Sequence, residues 1–424
     1  MSNDVLPAVA LLAPLPKSST RWLWALLVLG TICYISVFVF YPNLFWLVGV
    51  NHYGVWFLDT YALLASNDAV TRGLNAYAAN PLDYFGRPHV YSHWWLHLRD
   101  LGLTRADNLW VGLALAGSFL LVTLSRLRPA TPRQLLFYFA VLCSSPVLLA
   151  VNRANNDLVV FLLLTPLVSC LLDRRLGMRL VAPFFIAAAA ALKYYPAAAA
   201  LVLLAAVPAR ELRWRVALMG GLFLLVGMGA KSDLAGFGAL APQPEGFLTF
   251  GSTAFSHSLG WDGWVPKLFC AAAGAAVFGW FWHARWFANW IVPDERRADW
   301  LHFVLGAALL VGCFFTSLNF AYRWVFAVWL APLLWSLPGD LSAPLPVRRL
   351  AAVTRALLLA VLWVDAAASF ALNRFIGIVP GPELQRWADH GFLLEQPLFW
   401  AFFFCVLAFL AHFTRLGLRT LLAK

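Results

Sequence analysis

A few polar side chains in this chain stand where their neighbours give no reason for them. Asp59 lies in Val55-Trp56-Phe57-Leu58-Asp59-Thr60-Tyr61, among apolar and aromatic residues, with no cation within one helical turn. A carboxylate so placed can act as a general base, and it can equally be a helix-capping or interfacial aspartate. Lys193, in Ala191-Leu192-Lys193-Tyr194-Tyr195-Pro196, interrupts the apolar stretch 180–207. An ionisable group in such a stretch is expensive and marks function by default, with snorkelling to the headgroups as the alternative. Arg153 falls in the polar turn Asn152-Arg153-Ala154-Asn155-Asn156-Asp157, where Asp157 suits a helix N-terminus. Arg323 follows Asn319 and Tyr322 in another short turn, and Arg374 is a weaker fourth cation whose interfacial reading is the simpler one. One carboxylate facing three or four cations between apolar walls suits a lipid phosphate. The cations would grip the phosphate and stabilise its charge as it leaves, and the carboxylate would take a proton from an incoming hydroxyl.

The scaffold that must hold these groups is apolar. Of 424 residues, 62% are hydrophobic, 16% aromatic and only 12% charged, with mean hydropathy +0.74. A soluble domain is nearer a quarter charged, so the expected fold is an all-α, polytopic helical membrane protein. Apolar runs near the length of a bilayer span fall at 22–42, 108–125, 134–151, 157–172, 180–192, 197–207, 216–230, 265–283, 300–318, 320–336, 350–372 and 397–414. That makes about 12 transmembrane segments. The runs 180–192 and 197–207 are too short for two crossings and read as half-helices meeting at Lys193–Pro196. Residues 1–424 form one membrane domain, with no repeats, no appended soluble domain and no cleavable leader expected.

Charge sorts the connections into two sets. Lys17, Arg21, Arg126, Arg128, Arg133, Arg174, Arg175, Arg179, Arg210, Arg213, Arg215, Arg285, Arg296, Arg297, Arg348, Arg349, Arg355, Arg415, Arg419 and Lys424 fall in one set of short loops. By the positive-inside rule this set is cytoplasmic, as are both termini of an inner or plasma membrane protein. The net charge of +11 is then a topology signal, and no nucleic-acid partner is expected. The other set contains Asp59, the 152–157 turn, Lys193, His257, Asp262, Asn319 and Arg323, so the outer loops 43–107 and 231–264 should form the active-site face. The first of them carries Trp94, Trp95, His97 and Leu98 and reads as short interfacial helices. His89, His93, His257 and Asp262 match no metal-binding spacing, so no metal or other cofactor is expected. The six cysteines lie singly in apolar runs and read as small core residues.

The order of these motifs resembles the GT-C superfamily of membrane glycosyltransferases, and within it the polyprenyl-phosphate-mannose-dependent glycosyltransferase family 87. The likeness rests on Phe57-Leu58-Asp59-Thr60-Tyr61 after the first span, Gly73-Leu74-Asn75-Ala76-Tyr77 beyond it, the Asn152–Leu158 turn, the Lys193–Pro196 break and the Asn319–Arg323 turn. The family's usual Gly-Gln-x-Asn reads Ala154-Asn155-Asn156-Asp157 here. The resemblance implies inverting transfer of a monosaccharide, mannose first, from a polyprenyl phosphate to a glycan or glycolipid acceptor at the extracytoplasmic face of the cell envelope. It assigns Asp59 as general base and Arg153, Lys193 and Arg323, with Arg374, as phosphate ligands. Asn155, Asn156, Tyr194, Tyr195, His257, Asp262, Asn319 and Tyr322 would then line the substrate site. Two rival readings are a flippase or transporter of a lipid-linked sugar and an oligosaccharide ligase or polymerase using a polyprenyl diphosphate donor.

Overall fold

The computed structural model describes residues 20–206, 209–230, 233, 249–284, 287, 290–316, 318–377 and 382–422. Most of these are helical. The sole strand pair among them is Thr249–Phe250 antiparallel to Asn319–Phe320, with Thr249 opposite Phe320 and Phe250 opposite Asn319. The expected outer loop 231–264 is described at Asp233 and from Thr249 onward.

Among the described residues seven helices are long and apolar enough to cross a membrane: Arg21–Phe40, Arg105–Arg126, Glu211–Gly229, Trp264–His283, Asp294–Thr316, Leu345–Phe375 and Glu395–Leu418. The pair Pro132–Leu142 and Ser145–Arg153 makes an eighth span if its 51° bend is counted within one crossing. The chain is thus a multi-pass, all-α membrane protein in which several of the twelve apolar runs are shorter pieces. The bend follows from sequence, because Pro146 lacks the N–H that a continuous helix would need and confines Ser145 to the start of a new one. The run 320–336 divides into a tight 3-10 segment, Ala321–Trp329, and a six-residue helix, Ala331–Ser336. The run 180–207 breaks where expected. Helix Leu176–Leu192 ends, Lys193 is extended, and Tyr195–Ala200 continues as a 3-10 turn.

Burial separates helices that face lipid from those that face protein. Only 11% of Trp264–His283 is buried, against 67% of Asp294–Thr316. Asp294–Thr316 is central, and the 3-10 segment Ala321–Trp329 lies directly on it. A methyl group at Gly306 would come within 2.6 Å of the Phe326 carbonyl oxygen, so glycine is what permits this approach. Aromatic stacking fixes the other side: Phe161 lies on Trp329 at 4.4 Å between ring centres, and Trp324 is enclosed by Phe250, Phe399, Phe402 and Phe403. This layer forms the floor on which the polar residues at 153–157, 193–195 and 319–323 are mounted.

Candidate active site

Asp59 is the second residue of helix Leu58–Thr71 and is 3% exposed. The helix is docked against the 152–157 turn. Phe57 N–H donates to the Asn152 carbonyl at 2.9 Å, and Thr60 Oγ1 donates to the Ala154 carbonyl at 2.8 Å. Phe57 and Ala154 are the two non-glycine residues with left-handed backbone among the described residues, at φ +59° and +41°. Such conformations cost about 1 kcal/mol or more each and persist only where the surroundings hold them. Gly112 supplies part of that support, since a methyl group there would meet the Phe57 ring at 2.2 Å.

The turn delivers Asn155 to Asp59. Asn155 Nδ2 donates to Asp59 Oδ2 at 2.5 Å, while Asn155 Oδ1 accepts from the Asp157 N–H at 2.8 Å and from Lys193 Nζ at 3.3 Å. Asp59 Oδ1 takes no hydrogen bond among the described residues and lies 3.8 Å from Arg153 Nη1. One carboxylate oxygen is therefore oriented by an amide and the other faces Arg153 without a hydrogen bond. Arg153 in turn lies over the Tyr53 ring.

Asp157 is the hub of the site. It is fully buried, pairs with Lys193, accepts from Tyr195 Oη at 2.7 Å, and has Arg323 Nε 3.9 Å from its second oxygen. From the sequence Asp157 reads as a helix-starting residue. It does open helix Asp157–Leu172, but its carboxylate also gathers two cations, and this larger role went unrecognised. Lys193 lies over the faces of Tyr91 and Tyr322, and Arg323 over Tyr195 at 4.6 Å. Arg323 donates to Asn319 Oδ1, and Asn319 Nδ2 donates to the Cys313 carbonyl at 2.5 Å, tying the turn back to the central helix. Both side-chain atoms of Asn156, Arg153 Nε, Asp157 Oδ2 and Arg323 Nε are buried with no hydrogen-bond partner among the described residues. These are atoms a bound polar ligand would satisfy.

The rim is built from the segment between the first two spans. Arg87 grips Asp83 with Nε–Oδ2 and Nη2–Oδ1 distances of 2.9 and 3.0 Å, and the electrostatic influence of Asp59 reaches it. Burial pushes the Asp83 carboxyl up and the Arg87 bonds pull it further down, leaving it below the usual carboxylate range. Trp95, in the 3-10 segment His93–Leu101, donates its indole N–H to the Leu192 carbonyl at 3.1 Å, so the expected short helix in this loop also caps the helix before Lys193.

Thus Asp59, Arg153, Asn155, Asn156, Lys193, Tyr195, Asn319, Tyr322 and Arg323 come together. Arg374 does not join them; it is exposed in the last turn after Leu345–Ala371, where nothing described links it to the cluster. His257 and Asp262 pair with each other at 2.7 Å, the histidine half-buried and the aspartate exposed, and among the described residues neither is hydrogen-bonded to any residue of the cluster. Tyr194 points away from Asp157 and donates to Asp233 at 2.9 Å. Sequence reasoning missed Asp157 as hub, Tyr91 and Asp233. The described residues hold no group of three or more His, Cys, Asp or Glu side chains able to ligate a metal. No protein-family model, curated protein or solved structure matches this chain.

Proposed function

We propose that the chain is a membrane glycosyltransferase that moves one sugar, mannose first among candidates, from a polyprenyl phosphate to a hydroxyl of a glycan or glycolipid. The charge of the buried cluster carries this reading. Arg153, Lys193 and Arg323 face Asp59 and Asp157, so three cations against two carboxylates leave a single formal positive charge, while Arg87 and Asp83 cancel each other. A sugar esterified to a polyprenyl phosphate is a phosphodiester of charge −1 and balances that excess. A diphosphate carrier brings about twice the charge and would leave the cluster negative, at the cost of burying an uncompensated charge.

In the proposed reaction Asp59 Oδ1 removes the proton of the acceptor hydroxyl. The hydroxyl oxygen bonds to the anomeric carbon from the face opposite the phosphate, and the anomeric C–O bond breaks with its electron pair going to the phosphate. The polyprenyl phosphate leaves among Lys193, Arg323 and Arg153, which stabilise the charge it gains, and the proton stays on Asp59. Asn155 holds the other Asp59 oxygen and so fixes the direction of the free one. The basic loops at the opposite ends of the spans favour an extracytoplasmic site.

The test is sugar transfer by the purified protein in nanodiscs with short-chain polyprenyl-phosphate sugars. Turnover with a monophosphate donor that Asp59→Asn abolishes, with the fold intact, supports the reading. Turnover confined to diphosphate-linked donors, or undiminished in Asp59→Asn, overturns it.

A further inference from the structure

The three residues of the break at Lys193 diverge. Lys193 and Tyr195 turn toward Asp157, and Tyr194 between them turns the other way, toward Asp233. Asp233 is a buried carboxylate that accepts four hydrogen bonds: from Tyr194 Oη at 2.9 Å, the His93 backbone N–H at 3.0 Å, His93 Nδ1 at 2.8 Å and Tyr77 Oη at 3.2 Å. Burial pushes its carboxyl up, and the His93 and Tyr194 bonds more than offset this, so it stays below its usual range. It ties together three separate parts of the chain. Tyr77 and His93 belong to the segment between the first two spans, Tyr194 to the broken helix, and Asp233 itself follows helix Ala209–Gly229. Lys193 is extended and caps the end of its helix, its N–H making the last helical hydrogen bond, to the Ala189 carbonyl at 3.0 Å, so the helix holds nothing beyond it. The residue that follows it is what Asp233 holds.

We propose that Asp233 is a positioning residue for the donor-phosphate site: through Tyr194 it anchors the broken segment from the outer side and thereby aims Lys193 at the lipid phosphate. This rests on the reading of Lys193 as a phosphate ligand. Two hydroxyls donate to the same carboxylate, but only one belongs to the residue next to Lys193. Tyr194→Phe and Tyr77→Phe each remove one hydrogen bond to Asp233 and keep the ring, and Ser92→Ala is the control for the contact that the Tyr194 hydroxyl also makes with Ser92. A merely structural role for Asp233 makes the two tyrosine variants equivalent. A positioning role makes them differ.

The experiment uses the full chain in nanodiscs, with dodecyl phosphate as probe, and records both its affinity and the thermal midpoint of the free protein. Tyr194→Phe and Asp233→Asn should weaken dodecyl phosphate roughly tenfold, the effect of losing about one hydrogen bond to a charged group. Tyr77→Phe should change affinity less than about twofold while lowering the midpoint as much as Tyr194→Phe does. Equal effects of the two tyrosine variants on affinity, or unchanged affinity in Asp233→Asn, overturn the proposal. Lys193→Met is the control for the reading beneath it. If that variant binds dodecyl phosphate as the wild type does, Lys193 is no phosphate ligand and the functional reading fails first.

Discussion

Replacing Lys193 by methionine keeps most of the side-chain volume and removes the charge that pairs with Asp157. Asp157 is fully buried, so the carboxylate left behind has the Tyr195 hydroxyl and, 3.9 Å from its second oxygen, Arg323 Nε. Breaking a buried pair from one side costs about 3–5 kcal/mol. Unit charges 3.9 Å apart attract by roughly 4 kcal/mol gross at an effective dielectric near 20. Arg323 therefore softens the loss, and the expected cost is at the lower end, about 3 kcal/mol. Asp157→Asn added to Lys193→Met removes the stranded charge and keeps an acceptor for Tyr195. The double variant should regain at least about 1 kcal/mol over Lys193→Met alone. Equilibrium unfolding in mixed micelles measures all four members of this cycle. A cost below about 0.5 kcal/mol for Lys193→Met, or additive single changes, would mean that Lys193 snorkels to the headgroups and that the Asp157 hub is not what holds it. The double variant should still fail to bind a lipid phosphate, since stability returns but the cation does not.

Three further outcomes follow from the geometry. Gly112→Ala drives a methyl into the Phe57 ring, 2.2 Å away, and should cost about 1–3 kcal/mol and lower turnover by displacing Asp59 two residues on; unchanged unfolding would show that Phe57 moves freely. His89 is buried and its imidazole is pushed down to about 4 by that burial, so the folded chain keeps it neutral where the unfolded chain takes up a proton. Stability should then be full above pH of about 6.5 and fall as pH drops toward about 4, by at most about 3 kcal/mol from this residue; His89→Gln should flatten that slope in unfolding measured across the same window. His257→Ala and Asp262→Ala remove a partly exposed pair outside the cluster and should leave dodecyl phosphate affinity within about twofold of wild type.

What could be read from sequence depended on contrast. Lys193, Arg153, Asn155, Asn319 and Arg323 each break an apolar run, and in a membrane protein that contrast is costly enough to carry meaning. Proline gave the bends at Ser145 and Lys193 for the same local reason, a missing N–H. Asp157 had contrast too, but an aspartate opening a helix already has an explanation, and this hid its pairing with Lys193. Hydropathy also sorts residues only along the membrane normal. It put His257, Asp262 and Arg374 on the face of Asp59 and carries no information on which of them touch, and no hydrogen bond among the described residues links them to the cluster. Arg87 and Tyr91 lie in a loop without periodicity, where a polar residue is ordinary, and Asp233 falls just beyond a span, where one is equally so. Their roles come from which loops meet, and a single sequence carries no signal for that.

The pairing of Asp157 with Lys193 also sets an order of assembly. A membrane protein is threaded into the bilayer as it is made, and Asp157 is synthesised 36 residues before its cation. For that interval the nascent chain carries a buried-to-be carboxylate with no counter-charge, eased by its place at the positive end of helix Asp157–Leu172. The short, broken segment carrying Lys193 and Tyr195 is then the first that can neutralise it, and Arg323 completes the set much later. A chain truncated between these points would hold an unmatched carboxylate at the membrane.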